Sequence, residues 1–425
     1  MKQGLIGILL ISIVLLTSCA TNKISYPSPG LAEETWPFAI DTQPNSWAQG
    51  ADHWFLTGDP NSTQQMNETA PYMAAISTME VKVPNFTNIK VSGNFEVQLV
   101  GTDAPNRVFV YGPNDGVRQV IVEVRGNTLY LRQPPEACPN VGRTIVRIGI
   151  KDLHHLMQAG PGLIEGRQLR SSGLVVHSYG SGDVYLTGKI NLCSVINNGA
   201  GDVTVFDARA NALEISTMGS GSVNVSGHLG MRSIFHRGIG NINVIGVNGG
   251  TLNIDADGSG KIGIYGCYDL CRVIARGAVC VYSYCVNSGK LVAYGSGRSH
   301  IGMAGNASDL NVEVNGSAHF EGRYLHAREA FVRLYDNAHV NLGSSEKVYA
   351  AVNGGSSIYF YGPPNSMTKF VRDNGVILSV LETKPLPGLC YAMPVYRERV
   401  YKDAEPIYGR HVQGYYWKNR QLRAK

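Results

Sequence analysis

The sequence predicts an all-β fold: a parallel β-solenoid of about 20 residues per coil, preceded by a short β lead-in. Three observations lead there. A glycine turn recurs as Gly180-Ser181-Gly182-Asp183-Val184, Gly199-Ala200-Gly201-Asp202-Val203, Gly219-Ser220-Gly221-Ser222-Val223, Gly238-Ile239-Gly240-Asn241-Ile242 and Gly258-Ser259-Gly260-Lys261-Ile262. The apolar residue closing each turn falls at 184, 203, 223, 242 and 262, a period that marks a stacked repeat. Around each turn polar and apolar residues alternate, as in Val223-Asn224-Val225 and Ile242-Asn243-Val244, the pattern of a half-buried strand. A single unit cannot bury its apolar face, but stacked units share one core. The crossover rule makes the expected coil right-handed.

The chain has 425 residues, 44% apolar and only 16% charged, with 50 glycines, which suits a turn-rich stack whose outer face is uncharged and polar. Its net charge of +5 is too small to argue for a nucleic-acid partner.

Residues 1–19 read as a lipoprotein signal peptide. Lys2 precedes the apolar run Leu5 to Leu16, and Leu16-Thr17-Ser18-Cys19 resembles a lipobox. The run is shorter than the ~20 residues of a spanning helix, so a lipid anchor is preferred to a transmembrane one. The expected chemistry is cleavage before Cys19 and acylation of its thiol and new amino group. Ala20, where Asp would retain a lipoprotein at the inner membrane, points to the outer membrane. Residues 20–80 lack a period and are broken by Pro27, Pro29, Pro37, Pro44, Pro60 and Pro71, the composition of a tether. Trp36, Trp47 and Trp54 lie in it, either packed on the rod or reserved for a partner.

Residues 81–150 are the β lead-in. They contain Val91-Ser92-Gly93-Asn94-Phe95-Glu96-Val97-Gln98-Leu99, the strand Val108-Phe109-Val110-Tyr111-Gly112, and the hairpin Val122 to Leu131. With the glycine turns that follow, this order resembles the GIN-domain family of autotransporter-adhesin heads over roughly residues 81 to 260. The resemblance implies a β-helical protein of a bacterial envelope.

The solenoid is expected over residues 151–365. Beyond Ile262 the closing position runs through Val279, Ile301, Phe320, Val340 and Ile358, so the period slips around Val279. Counting back, Ile164 also fits. Of eight cysteines, Cys267, Cys271, Cys280 and Cys285 cluster at that slip. An oxidising envelope favours disulfides, and a Cys267–Cys285 staple is expected there. A zinc knot is the rival, although its spacing fits no common ligand template.

The residue before the closing position forms a column. Asp183 and Asp202 in it would suit a glycosidase pair or calcium, and equally two solvent-facing turn ends, which is the preferred reading. His300, His319 and His339 stack on successive rungs; they would either share a metal, titrate together, or be a tolerated polar column. No phosphate-binding loop and no Gly-x-Ser-x-Gly elbow with a plausible triad is present. No cofactor is called for.

Residues 366–425 read as a cap and a basic tail. From Pro385 onward it carries eight Lys/Arg against three Asp/Glu, with Tyr391, Tyr396, Tyr401, Tyr408, Tyr415, Tyr416 and Trp417. Tyr415, Tyr416 and Trp417 are candidate contacts to an acidic glycan, peptidoglycan or a protein groove, or back to the rod.

The sequence thus points to a non-enzymatic, outer-membrane-anchored scaffold or adhesin-like module, facing the periplasm or the cell surface. Its expected partners are the membrane, through the lipid, and envelope or host-surface proteins or glycans. A subunit of a large envelope assembly, such as a secretion complex, is the second reading. A polysaccharide-binding or -cleaving protein using Asp183 and Asp202 is the third.

Overall fold

The computed structural model describes residues 76–134, 143–343, 345–362 and 364–380. Cys19, Trp36, Trp47, Trp54, Tyr415, Tyr416 and Trp417 lie outside these residues, and with them the expected anchor and the expected contacts of tether and tail.

The described chain is nearly all β, a parallel solenoid of about 12 turns preceded by short strands. Its first coil is built out of sequence order. After β1 (Ile76–Val81), strands β2 (Asn88–Ser92) and β3 (Glu96–Gly101) form a rung. The chain then continues through β4 (Arg107–Pro113), the short helix α1 (Asn114–Gln119), β5 (Ile121–Arg125), β6 (Thr128–Arg132) and β7 (Ile145–Ile150). It returns as β8 (His155–Gln158) and β9 (Ile164–Ser178), which lie on the first rung in parallel with Ile89 opposite Leu156 and Val97 opposite Ile164. On the other side of that rung sit β6 and β7, also parallel to it, and antiparallel β1, β4 and β5 finish this end.

From β9 the coils follow in order: β10 (Val184–Asn197), β11 (Val203–Thr217), β12 (Val223–His236), the continuous β13 (Ile242–Gly295), β14 (His300–Val314) and β15 (His319–Leu334). The last rungs are split into β16 (His339–Leu342) with β17 (Ser345–Val352), then β18 (Ser357–Tyr361) with β19 (Ser366–Val371), then β20 (Val376–Val380).

The register shows why the sequence repeats. Ile164, Val184, Val203, Val223 and Ile242 are direct neighbours, one per rung, and all are fully buried. Leu156, Val176, Val195, Ile215, Ile234 and Ile254 form a second buried column. Each such side chain contributes about 1.5–3 kcal/mol by leaving water, and each rests on its equivalent above and below. A change of step by one residue would send the next strand's apolar set outward.

At one position the register corrects the sequence expectation. Val281, not Val279, lies opposite Ile301, and Cys280 takes the column place expected for Ala278. Ile262, Val281 and Ile301 restore the regular spacing, and the slip disappears. A bulge does occur nearby: Cys285 adopts φ 60° and interrupts the pairing between Tyr284 and Val286.

The glycine turns are required by close approach. A Cβ on Gly199 would collide with the carbonyl oxygen of Gly180, and one on Gly219 with that of Gly199. Beneath the turns runs a buried polar ladder, Gln158, Ser178, Asn197, Thr217 and His236, all at most 1% exposed. It satisfies the turn backbone. Gln158 Nε2 donates to the Gly160 carbonyl at 2.5 Å, Asn197 Nδ2 to the Gly201 carbonyl at 2.9 Å, and the Gly199 N–H donates to Asn197 Oδ1 at 3.2 Å. Thr217 Oγ1 meets His236 Nδ1 at 2.6 Å, and His236 Nε2 lies 3.0 Å from the Ser259 carbonyl. Buried polar groups at this depth are tolerated because they are paired.

Candidate functional site

The column before the closing position is a set of caps between rungs. Asp183 Oδ1 accepts the Asp202 N–H at 2.8 Å, Asp202 Oδ1 accepts the Ser222 N–H at 2.7 Å, and Asn241 Oδ1 accepts the Lys261 N–H at 2.9 Å. Each short acceptor secures the amide one rung along, as Asp and Asn do at turns generally. Burial, and secondarily the neighbouring Asp183, raises the Asp202 carboxyl above its ordinary range, opposed by the Ser222 hydrogen bonds. One oxygen of each aspartate is therefore committed to backbone.

Higher up, the same column carries His300, His319 and His339 in direct register. The rings of His300 and His319 stack at 4.8 Å with 11° between their planes; those of His319 and His339 lie 4.7 Å apart, tilted by 41°. Tyr282 extends the array below at 5.4 Å and Tyr359 above at 5.1 Å. This arrangement is unsuited to the shared metal considered from sequence. Nitrogen lone pairs lie in the ring planes, so nearly parallel rings aim them side by side, whereas a zinc ion needs them converging on one point at about 2.0–2.1 Å. Among the described residues no three His, Cys, Asp or Glu side chains converge in that way.

The electrostatics of the array are set by its neighbours. His300 is only partly covered as a residue, but its Nε2 is enclosed and has no hydrogen-bond partner. Its pKa is pushed down to about 3, first by burial and then by His319. His339 is lowered by burial and His319, opposed by Asn341 and Glu321. His339 is held by Ser357 Oγ at 2.7 Å and Asn341 Oδ1 at 3.2 Å. Glu321, 6% exposed, accepts from Asn341 Nδ2 at 2.5 Å and from the Arg323 N–H at 3.2 Å, and its Oε2 lies 3.7 Å from His319 Nε2. Sequence spacing identifies the histidine column but not this carboxylate, which sits two residues along the same strand.

The structure does not join Cys267 to Cys285 in a disulfide. Cys285 is the bulge residue, buried and turned by its positive φ, while Cys267 is half-buried on regular strand. Cys280 is the member of the cluster that is disulfide-bonded.

The outward face adds features that sequence reading missed. Phe331 and Tyr349 are adjacent on β15 and β17, 43% and 42% exposed, with rings stacked at 4.7 Å and 6°. Tyr335 is 37% exposed on the turn after β15. The Arg323 guanidinium lies 4.3 Å over the Tyr361 ring. The only available signal was outward parity along 329–335. One hollow, lined by Phe206, Asn224, Val225, Ser226, Asn243 and Ile245, has a volume of about 10 Å³, room for a single water.

Comparison with known proteins gives one family. The model described as "Putative auto-transporter adhesin, head GIN domain" matches residues 85–286 and 268–364. Similar solved structures include a putative adhesin from Bacteroides fragilis NCTC 9343, at 16% identity and TM-score 0.23, covering 72% of this chain and 97% of that one. A putative lipid binding protein from Parabacteroides distasonis ATCC 8503 has 15% identity and TM-score 0.26, with coverage of 72% and 97%. A putative cell adhesion protein from Clostridium sporogenes ATCC 15579 has 16% identity and TM-score 0.21, with coverage of 45% and 99%. No curated protein matches the chain.

Proposed function

The chain belongs to the family of auto-transporter adhesin head GIN domains, and on that premise we propose that it is a non-enzymatic interaction rod, lipid-anchored at the outer membrane through Cys19. The observation that carries this reading is the outward face. Register-locked rungs hold Phe331 and Tyr349 as a rigid, solvent-exposed aromatic pair. Rings fixed on a sheet lose little conformational freedom on binding, and aromatic residues dominate contact energies at interfaces. The partner is an envelope or host-surface protein or glycan.

The test is adhesion of cells displaying the full chain. Cells carrying Phe331→Ser with Tyr349→Ser should bind at least tenfold less well than wild type at equal surface display. Unchanged binding removes the aromatic pair from the function. Protease shaving of intact cells should digest the rod if it faces outward. Cys19→Ser should release the protein from the membrane fraction, and retention of that variant overturns the anchor.

A further inference from the structure

The two ends of the solenoid are finished differently. At one end the stack finishes in antiparallel strands, β1 on β4 and β5 on β6. At the other, β19 and β20 pair on one side with β17 and β18, and no described strand pairs with their other side. The core columns run straight out to this edge. Val352 is fully buried, yet its neighbour on the next rung, Val371, is 46% exposed. Phe370, Val376 and Leu378 are 53%, 38% and 50% exposed. Met367 and Ile377 sit half-buried on the core beneath. An open rung of this kind is a template for any strand that reaches it.

We propose that the occupant of this end is the chain's own C-terminal segment, residues 381–425, which closes the solenoid as an internal cap. Size decides against a second copy. Strands of six and five residues span roughly 20 Å each, and the end-on surface they offer is a few hundred Å², well short of the about 800 Å² per partner of a stable interface. A covalently attached segment needs no such area. It starts at the residue after β20, so its effective concentration at the rung is of millimolar order. Its 45 residues exceed two coils of about 20. Val395, Tyr396, Val400 and Tyr401 offer apolar cover, and Pro385, Pro387, Pro394 and Pro406 stop it from becoming a further template, because proline cannot donate to a ladder.

The test uses the full chain with a benzophenone amino acid placed at Val371 in one variant and at Leu378 in another, with exposed Asn306 as the control position. After irradiation, the cross-links are mapped by mass spectrometry. Cross-links within one molecule into residues 381–425, at several times the yield of the control, are expected. Cross-links to a second copy, cross-links to other parts of the chain, or a yield no higher than the control's overturn the proposal. Hydrogen exchange on the unmodified full chain is the second measurement. Amides of β20 should exchange at least tenfold more slowly than those of an open edge, and exchange at the open-edge rate overturns it.

Discussion

Replacing His300 by phenylalanine should make the protein more resistant to acid. In the folded chain the His300 pKa is about 3, against an ordinary value of 6.5. The folded ring therefore stays neutral at pH values where the unfolded ring is charged. Lowering the pH through 6.5 lets the unfolded state bind a proton the folded state refuses, so stability present above pH 6.5 is lost progressively down to about pH 3. At 1.36 kcal/mol per unit, the single ring costs about 2 kcal/mol between pH 7.5 and pH 5.0. A phenyl ring fits between Tyr282 and His319 and takes up no proton. Burial also lowers His155, His177, His236 and His339, so both proteins should weaken in acid. The difference between them isolates His300. The assay is urea unfolding of both chains at pH 7.5 and 5.0, with hydrogen exchange of the β14 and β15 amides as a local measure, since stacked repeats need not unfold as one unit. The variant should gain about 2 kcal/mol on wild type across that interval. A gap that changes by less than about 0.5 kcal/mol, or a His300 ring that titrates near 6.5 by NMR, refutes the reasoning.

Three other substitutions probe the stack. Gly219→Ala drives a methyl into the Gly199 carbonyl and should cost about 1–3 kcal/mol in urea unfolding, whereas Gly289→Ala, with open space around it, should cost nothing. Asp183→Ala removes the acceptor for the Asp202 amide and should cost about 1 kcal/mol with faster exchange of that amide, while Asp183→Asn, which keeps an acceptor, should behave as wild type. Asn197→Ala strands the Gly199 N–H and the Gly201 carbonyl and should lower stability by about 1–3 kcal/mol; a thermal melt unchanged from wild type would show that the turn is held by other means.

The core columns were legible because like stacks on like: the buried residues from Ile164 to Ile242 stand in register one coil apart, and that spacing is written in the chain. The misplacement at Val279 has a simple cause. Val279 and Val281 are two apart on one strand, so both face inward and both are fully buried. Alternation cannot separate them; only pairing with β14 does. The first rung was missed for a different reason. Gly93 stands beneath Gly160 just as Gly160 stands beneath Gly180, but Phe95 replaces the second glycine of the turn and 67 residues separate Val97 from Ile164. In the histidine column, spacing predicts adjacency but not ring orientation. The 11° between His300 and His319 follows from side-chain packing, and that angle disfavours a shared metal.

The out-of-order first rung also bears on how the molecule assembles. Contacts between β9, β10, β11 and β12 each close about one coil of chain, whereas seating β3 on β9 must close 67 residues, which costs about 1 kcal/mol more in loop entropy. Local contacts form fastest, so the β5–β6 hairpin and the coils from β9 onward form early, and the joint between β3 and β9 closes late. A polypeptide emerging from a translocon, amino end first, would thus pair β1 to β7 among themselves but leave the other side of β2 and β3 open until the β8 and β9 segments have passed, so growth of the long stack waits for them.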